Sequence, residues 1–272
     1  MEFQLLFYRM KMRFFFLFLL VVIVSPSTLF AWGVLGHRVT GGIAEHYLNA
    51  RAKAELKKLL GNESLAMAGN WADFIKSNRS YDYLGPWHYI NISSGKTQAD
   101  LMQYLQSDTA VDLYTKMNFL VRELKSKKLP KDKQVFYLKL LIHFVGDAHQ
   151  PMHMGQPQDR GGNSIKLYWF GQPTNLHRVW DEHLVEFQQL SYTEHIAAIN
   201  FPTAAQKVKW LHQPIKDWIY ESYQVAQKLY TEVKAEDKLT YSYNYYHVDI
   251  MNQQLLKGGV RLAGLLNDIF GK

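Results

Sequence analysis

The chain contains no cysteine. It therefore has no disulfide to brace its core and no thiolate to bind a metal or attack a substrate. Any metal chemistry must rest on histidine, carboxylates and backbone groups. Residues 32–272 hold no apolar run long enough to span a bilayer. They also lack a Pro-, Ser- or Gly-rich tract, a low-complexity segment or an internal repeat that would mark a linker or a solenoid. Net charge is modest. The formal +7 falls to +5 once Arg9, Lys11, Arg13 and Glu2 are set aside, too little by itself to mark a nucleic-acid-binding protein.

The apolar run that does exist lies at the start. Arg9, Lys11 and Arg13 precede a wholly apolar stretch over 14–24, Ser25 and Pro26 break it, and Ala31 offers a small residue for cleavage. That is the layout of a secretory signal peptide over 1–31, and the run is short for a membrane span. An uncleaved anchor is the alternative. Export to the periplasm or the medium is the expectation, with no membrane partner for the mature form. Residues 32–272, in a chain 47% hydrophobic and 20% charged, have the length and composition of one globular domain with a full core, here expected to be a monomer.

The dominant period is helical. A helical pair fits residues 39–60, and a short helix fits 70–77 with Asn70 as its N-cap. Apolar spacings of three and four suggest one helix over 99–124. The most apolar helix spans 133–148 and is stopped by Pro151. After Gly161 and Gly162, the alternation of Ile165, Leu167 and Trp169 suggests a strand in a small hairpin closing near 171–173. Asn175 is placed to cap a helix to about Phe187, and further helices fit 204–233 and 249–269. The fold class is mainly α, multi-helix and single-domain, with a small β-hairpin.

The eleven histidines are not scattered. His143 and Asp147, in LLIHFVGDAHQPMH, stand four apart on a stretch expected to be helical and so project from one face. His177 and Asp181, in NLHRVWD, repeat the arrangement, and His153 follows Pro151. A lone histidine is usually a surface or hydrogen-bonded core group. Two His-x-x-x-Asp pairs on apolar helices are harder to dismiss, because burying their carboxylates without cations is expensive. Neutral imidazole and carboxylate are suitable zinc ligands.

Trp32-Gly-Val-Leu-Gly-His37 brings in a recognisable family. With NWADFIK (70–76), PWHYINI (86–92), HFVGDAHQPMH (143–153), GGNSIKL (161–167), NLHRVWD (175–181) and GVRLAGLLN (259–267) following in order, the chain resembles the S1/P1 nucleases and, more distantly, zinc-dependent phospholipases C. The resemblance implies the phospholipase C/P1 nuclease-like fold and three Zn2+ ions. One would take Asp73, His88, His143 and Asp147. Its neighbour would take the α-amino nitrogen and carbonyl oxygen of Trp32, His37 and the second oxygen of Asp147. The third would take His153, His177 and Asp181. An amine and its own carbonyl chelate only at a free terminus, so signal cleavage would complete the site.

The implied activity is that of a secreted endonuclease cutting single-stranded DNA and RNA to 5′-phosphate products, with 3′-nucleotidase activity. Asp73 and Asp147 would serve catalysis through the metals. Lys76 stands where the family usually has an arginine that supports the phosphate; lysine keeps the charge and loses the bidentate fork. Tyr89, Asn91 and Asn163 match substrate-binding positions, Tyr89 by stacking on an unpaired base. Without the resemblance, Lys76 reads as a solvated helix lysine, Tyr89 as core packing and Asn163 as a turn residue. His149 and His183 read as groups that support the ligands from behind or lie at the surface, and His46 as an ordinary helix residue. A phospholipase C-like phosphodiesterase and an inactive zinc-binding protein are the alternatives.

Overall fold

The computed structural model describes residues 32–272, and the expected signal peptide lies outside them. Helices α1 (Val34–Tyr47) and α2 (Ala50–Leu60) form the expected pair, separated at Asn49, whose side chain accepts the Ala52 N–H as an N-cap. The single helix expected over 99–124 is two, α3 (Gln98–Ser107) and α4 (Leu113–Ser126). Asp108 accepts the Ala110 N–H, and Asp112 forms a reciprocal capping box with Thr115. Those side chains offer the backbone an alternative to helical bonds, and it takes it.

Helix α5 (Lys131–Asp147) begins after Pro130, with Asp132 favouring its positive end. From residue 140 to residue 150 every side chain is buried. The helix thus passes into the interior, which matches a second half that is apolar on every side but the one carrying His143 and Asp147. Helices α6 (Tyr192–Ile199), α7 (Ala204–His212), α8 (Ile215–Glu232) and the 30-residue α9 (Tyr241–Phe270) complete the helical layer. The expected helix over 204–233 is broken at Pro214, which restricts the residue before it and starts α8. Helix α9 begins eight residues before the expected start at 249, through a run of exposed tyrosines that carries no apolar period.

Strands β1 (Lys166–Trp169) and β2 (Gln172–Asn175) pair antiparallel with Trp169 opposite Gln172. The two-residue turn, Phe170-Gly171, has φ of 48° and 79°, the primed geometry that a tight hairpin needs and that glycine accepts without strain. Pro173 lies inside β2, at the sheet edge, where a missing N–H is tolerated. A third strand, β3 (Lys238–Leu239), adds in parallel to β1; two residues recruited from a distant loop leave no local signal. Two apolar clusters fill the interior, one around α3, α4 and α5, the other around Trp32, Trp180 and α1. Helix α9 supplies residues to both, so the two pack as one body around its length.

Candidate metal centre

The buried end of α5 is the floor of the site. Asp147 is shared: its Oδ2 lies 3.0 Å from His88 Nδ1 and 3.3 Å from His143 Nε2, and its Oδ1 lies 3.4 Å from His37 Nε2. His143 Nε2 is also 3.7 Å from Asp73 Oδ1. Nearby, His177 Nε2 lies 3.0 Å from Asp181 Oδ2, and His153 Nε2 lies 3.6 Å from Asp181 Oδ1. Three groups of mutually close ligand atoms result: His37, His143 and Asp147; Asp73, His88 and His143; His153, His177 and Asp181. All eight side chains are buried.

Local structure sets each position. Asp73 sits on the short helix Trp71–Phe74. The preceding Asn70 does not cap that helix through its side chain, contrary to expectation. It is fully buried, and its amide, oriented to satisfy both neighbours, donates to the Val34 carbonyl and accepts from Arg38 Nε. His88 ends the 3-10 stretch Arg79–His88. Beyond it, Ile90 and Ile92 donate to the carbonyls of His153 and Gly155. That extended pairing turns Ile90 and Ile92 inward and Tyr89 and Asn91 toward solvent, by the twofold alternation of a strand. His177 follows Asn175, whose side chain accepts the Arg178 N–H as the expected cap. Asp181 then lies in a π-helical turn, Val179–His183, a feature that sequence periodicity does not reveal and that is frequent at functional sites.

The ring nitrogens are oriented for ligation. The Nδ1 of His143 bonds to the Gly69 carbonyl at 2.7 Å, that of His177 to the Gly161 carbonyl at 2.7 Å, and that of His153 to the His88 carbonyl. A carbonyl only accepts, so each Nδ1 carries the proton and each Nε2 points its lone pair into the cluster. Gln150, fully buried, donates to Asp181 Oδ1 and accepts the Met152 N–H. The fit around His37 depends on Gly146: a Cβ there would stand 2.5 Å from His37 Nδ1.

Electrostatics favour ionised carboxylates. Burial opposes the charge on Asp181, but His177 and His153 outweigh it and bring its pKa to about 2. At Asp147 burial is likewise outweighed, by His143 and His153, and the pKa lies well below the usual range. Burial pushes His88 down to about 3, with Lys76 adding to the effect.

Whether this donor set suits metal is answered by what is unpaired. Both nitrogens of His37, Asp73 Oδ2, His88 Nε2, Asp147 Oδ1 and His153 Nε2 are buried with no hydrogen-bond partner, an arrangement that costs several kcal/mol in an ordinary core. Two ligands on one tetrahedral zinc, with bonds of about 2.0–2.1 Å, stand roughly 3.3 Å apart. The nitrogen–oxygen separations here bracket that value, from 3.0 to 3.7 Å. The residues fit a cluster of divalent ions.

Above the floor lies a cavity of about 480 Å³ lined by Lys76, Tyr89, Asn91, Asn163, His88, His153 and His177. Lys76 is bound to Asp73, Nζ to Oδ1 2.5 Å. Tyr89 is 39% exposed, more open than a core tyrosine. Asn163 donates to the Arg160 carbonyl. Trp32 is buried beside Gly36, and the next residue, Gly33, donates its N–H to the Asp181 carbonyl, tying the start of the described chain to the third ligand group.

The sequence profile described as S1/P1 Nuclease matches residues 32–271. The chain belongs to the S1/P1 nuclease family. Endonuclease 3 of Arabidopsis thaliana is 28% identical to it, covering 96% of each chain. Nuclease S1 of Aspergillus oryzae is 27% identical across 68% of each. Nuclease P1 of Penicillium citrinum is 24% identical across 88% of this chain and 98% of its own. Membership in this nuclease family assigns hydrolysis of phosphodiester bonds.

Two groups that take part in the site, Gln150 and Arg160, had no reading in the sequence. Gln150 lay inside a quoted motif without a role, although its place beside Pro151 in HQPMH was a usable signal. Arg160 lines the cavity from a left-handed turn, φ 58°. His149 is not on the surface: it is fully buried, its Nδ1 bonded to the Val145 carbonyl and its Nε2 2.9 Å from Arg261 Nη1. Arginine only donates, so His149 accepts at Nε2 and stays neutral, and burial holds its pKa well below the ordinary value. His183 is half-buried against Trp169, and His46 is exposed.

Proposed function

We propose that the protein is a zinc-dependent endonuclease that hydrolyses single-stranded DNA and RNA to 5′-phosphate products, with 3′-nucleotidase activity. The observation that carries this reading is the convergence of three His/Asp groups beneath one cavity whose walls hold an aromatic ring and two cations. Asp73, His88, His143 and Asp147 would hold one zinc. His37, the free amine and carbonyl of Trp32 and the other oxygen of Asp147 would hold its neighbour; His153, His177 and Asp181 would hold the third. When bound, such ions supply positive charge to phosphate oxygens and make hydroxide available near neutral pH.

The chain's own groups do the rest. Tyr89 offers a face on which one base stacks, worth about 1–3 kcal/mol, and a base is free to do so only when it has left a duplex. That is the physical basis for single-strand preference. Asn91 presents an amide that both donates and accepts, which suits relaxed base choice. Lys76 and Arg160 hold the phosphate backbone, and Asn163 lies beside Arg160 on the same wall. In the overall reaction the water oxygen forms a bond to phosphorus and the P–O3′ bond breaks; O3′ gains a proton that came from the water, and the phosphate stays on the 5′ side.

Secretion is part of the same reading, because the Trp32 amine is released only when residues 1–31 are removed. The test is metal analysis of protein beginning at Trp32, assayed on single-stranded DNA, duplex DNA and phosphatidylcholine. Three zinc equivalents per chain with rapid cleavage of the single strand is the expected result. Hydrolysis of phosphatidylcholine alone, or three equivalents of zinc with no phosphoester turnover, would replace it with the phospholipase or the inactive zinc-binding alternative. One extra residue before Trp32 should remove much of the activity.

A further inference from the structure

The N-terminal end of α5 borders a different feature. A cleft of about 470 Å³ between α2, the end of α4, the start of α5 and the end of α9 is lined by Arg51, Lys58, Lys127, Lys131 and Lys272, with Glu55 the one carboxylate in its lining. Five cations against one anion make an excess of positive charge nearly as large as that of the whole of residues 32–272. The chain's mild net charge is therefore concentrated here rather than spread over the surface.

The five cations are exposed, and so are available to a ligand. Glu55 is occupied: Lys58 bonds it at 2.6 Å, and Lys58, Arg51 and Lys127 together hold its carboxyl below the ordinary range. Lys272 bonds Asp268. Arg51, Lys127 and Lys131 have no side-chain ion pair among the described residues. Lys127 also sits in a left-handed conformation at the end of α4, φ 56°, where glycine or asparagine is the easier residue. The floor includes Leu59, Leu124 and the half-buried ring of Phe270. A basic groove with an aromatic ring in its floor is the pattern that tracks a single nucleic-acid strand, the cations on phosphates and the ring on a base.

We propose that this cleft is a second binding site for single-stranded nucleic acid, separate from the cavity over the metal centre, that retains long substrates on the enzyme. The choice of ligand rests on the nuclease reading above. The 17 residues of α5 separate Lys131 from Asp147 by roughly 24 Å at 1.5 Å per residue. A dinucleotide occupying the metal cavity does not reach the cleft, whereas a strand of 30 nucleotides, at about 3.4 Å or more each, is long enough to span both.

The test compares the zinc-loaded wild type with the triple variant R51E/K127E/K131E, whose substituted side chains are exposed and outside the catalytic cavity. Steady-state kinetics on dT30 and on the dinucleotide d(TpT) are measured from 50 to 200 mM NaCl. Fluorescence anisotropy follows binding of a labelled phosphorothioate dT30. The expected variant has a KM for dT30 raised about tenfold or more, with the log–log salt slope smaller by about two, since each phosphate contact on a single strand contributes about 0.7. Its kinetics on d(TpT) stay at wild-type values. Unchanged KM and slope on dT30 would overturn the proposal, as would an equal loss on d(TpT). It would also fall if the variant lost binding to phosphatidylglycerol vesicles while keeping dT30 affinity. If the wild type cuts neither substrate, the nuclease reading fails by itself, and anisotropy still reads the cleft.

Discussion

His37 and His143 lie face to face, ring centres 3.8 Å apart and planes 18° from parallel. Two protonated rings would repel strongly at that distance, and their environments separate them. Burial, with the His143 charge beside it, pushes His37 down, whereas Asp147 and Asp73 outweigh burial at His143 and push it up. A cation held by the same carboxylates takes the place of that proton, leaving a pair of neutral rings in the cluster. Its spacing is set from behind by Gly146, the residue whose missing side chain leaves room for the His37 ring.

Gly146→Ala places a methyl group 2.5 Å from His37 Nδ1. His143 blocks retreat on the other side, so His37 must shift. The expected result is loss of about one metal equivalent and a fall in activity of about 100-fold, the scale set by ångström misplacements in active sites. Metal content and kcat on single-stranded DNA read it. An alanine variant with full metal and full rate would show that the ring position is not critical.

Gln150→Leu removes the donor to Asp181 and leaves the buried Met152 N–H without its acceptor. Partners of this kind typically contribute 10–100-fold in metal affinity. Competition with a chelator should show one of three ions released at correspondingly lower chelator concentration, with the other two held as in wild type. Equal retention of all three would exclude an orienting role for the amide.

Exhaustive chelation should abolish activity and lower the thermal midpoint, both restored by zinc. The buried nitrogens and oxygens without partners are then left unsatisfied in a dry interior. Full activity in a demonstrably metal-free preparation would end the metal reading.

Tyr89→Ala should lower kcat/KM on single-stranded oligonucleotides by about 5–150-fold, the equivalent of one base stack, with little change in thermal midpoint, because the ring is 39% exposed. A large loss of stability with unchanged kinetics would mark Tyr89 as a packing residue instead.

Glu221 gives the pH dependence. Burial opposes its charge, but Arg261 and Lys257 outweigh it and bring its pKa to about 2. A carboxyl depressed in the folded state stabilises the fold above its unfolded pKa, about 4.5, and that contribution is lost as pH falls toward 2. Glu221→Gln leaves the buried Arg261 guanidinium without its anion. The variant should be less stable than wild type at pH 7, with the difference shrinking as pH is lowered from 4.5. A constant difference across that range, followed by thermal melts, would count against the ion pair.

The parts of this fold legible in the sequence were those written locally. His143 and Asp147 are visible as a pair because four residues of helix place them together, and Asn175 as a cap because its signal is three residues long. The break between α3 and α4 was hidden because Leu, Met and Tyr continue at helical spacing on both sides, while the deciding groups, Asp108 and Asp112, look like ordinary surface residues until their bonds are seen. The start of α9 was hidden by Tyr241, Tyr245 and Tyr246, three exposed rings that blur the apolar period. β3 and the His149–Arg261 contact depend on partners far along the chain, and the π turn at Asp181 widens one helical turn without a local composition signal. The basic cleft is invisible for the same reason: its cations come from four separate segments.

Asp147 touches His37, His88 and His143, which arrive on three separate stretches of polypeptide. No single stretch of this chain holds all the ligand atoms gathered there. Uptake of metal would therefore report that distant segments have closed on one another, and a preparation's metal stoichiometry would double as a count of correctly assembled molecules.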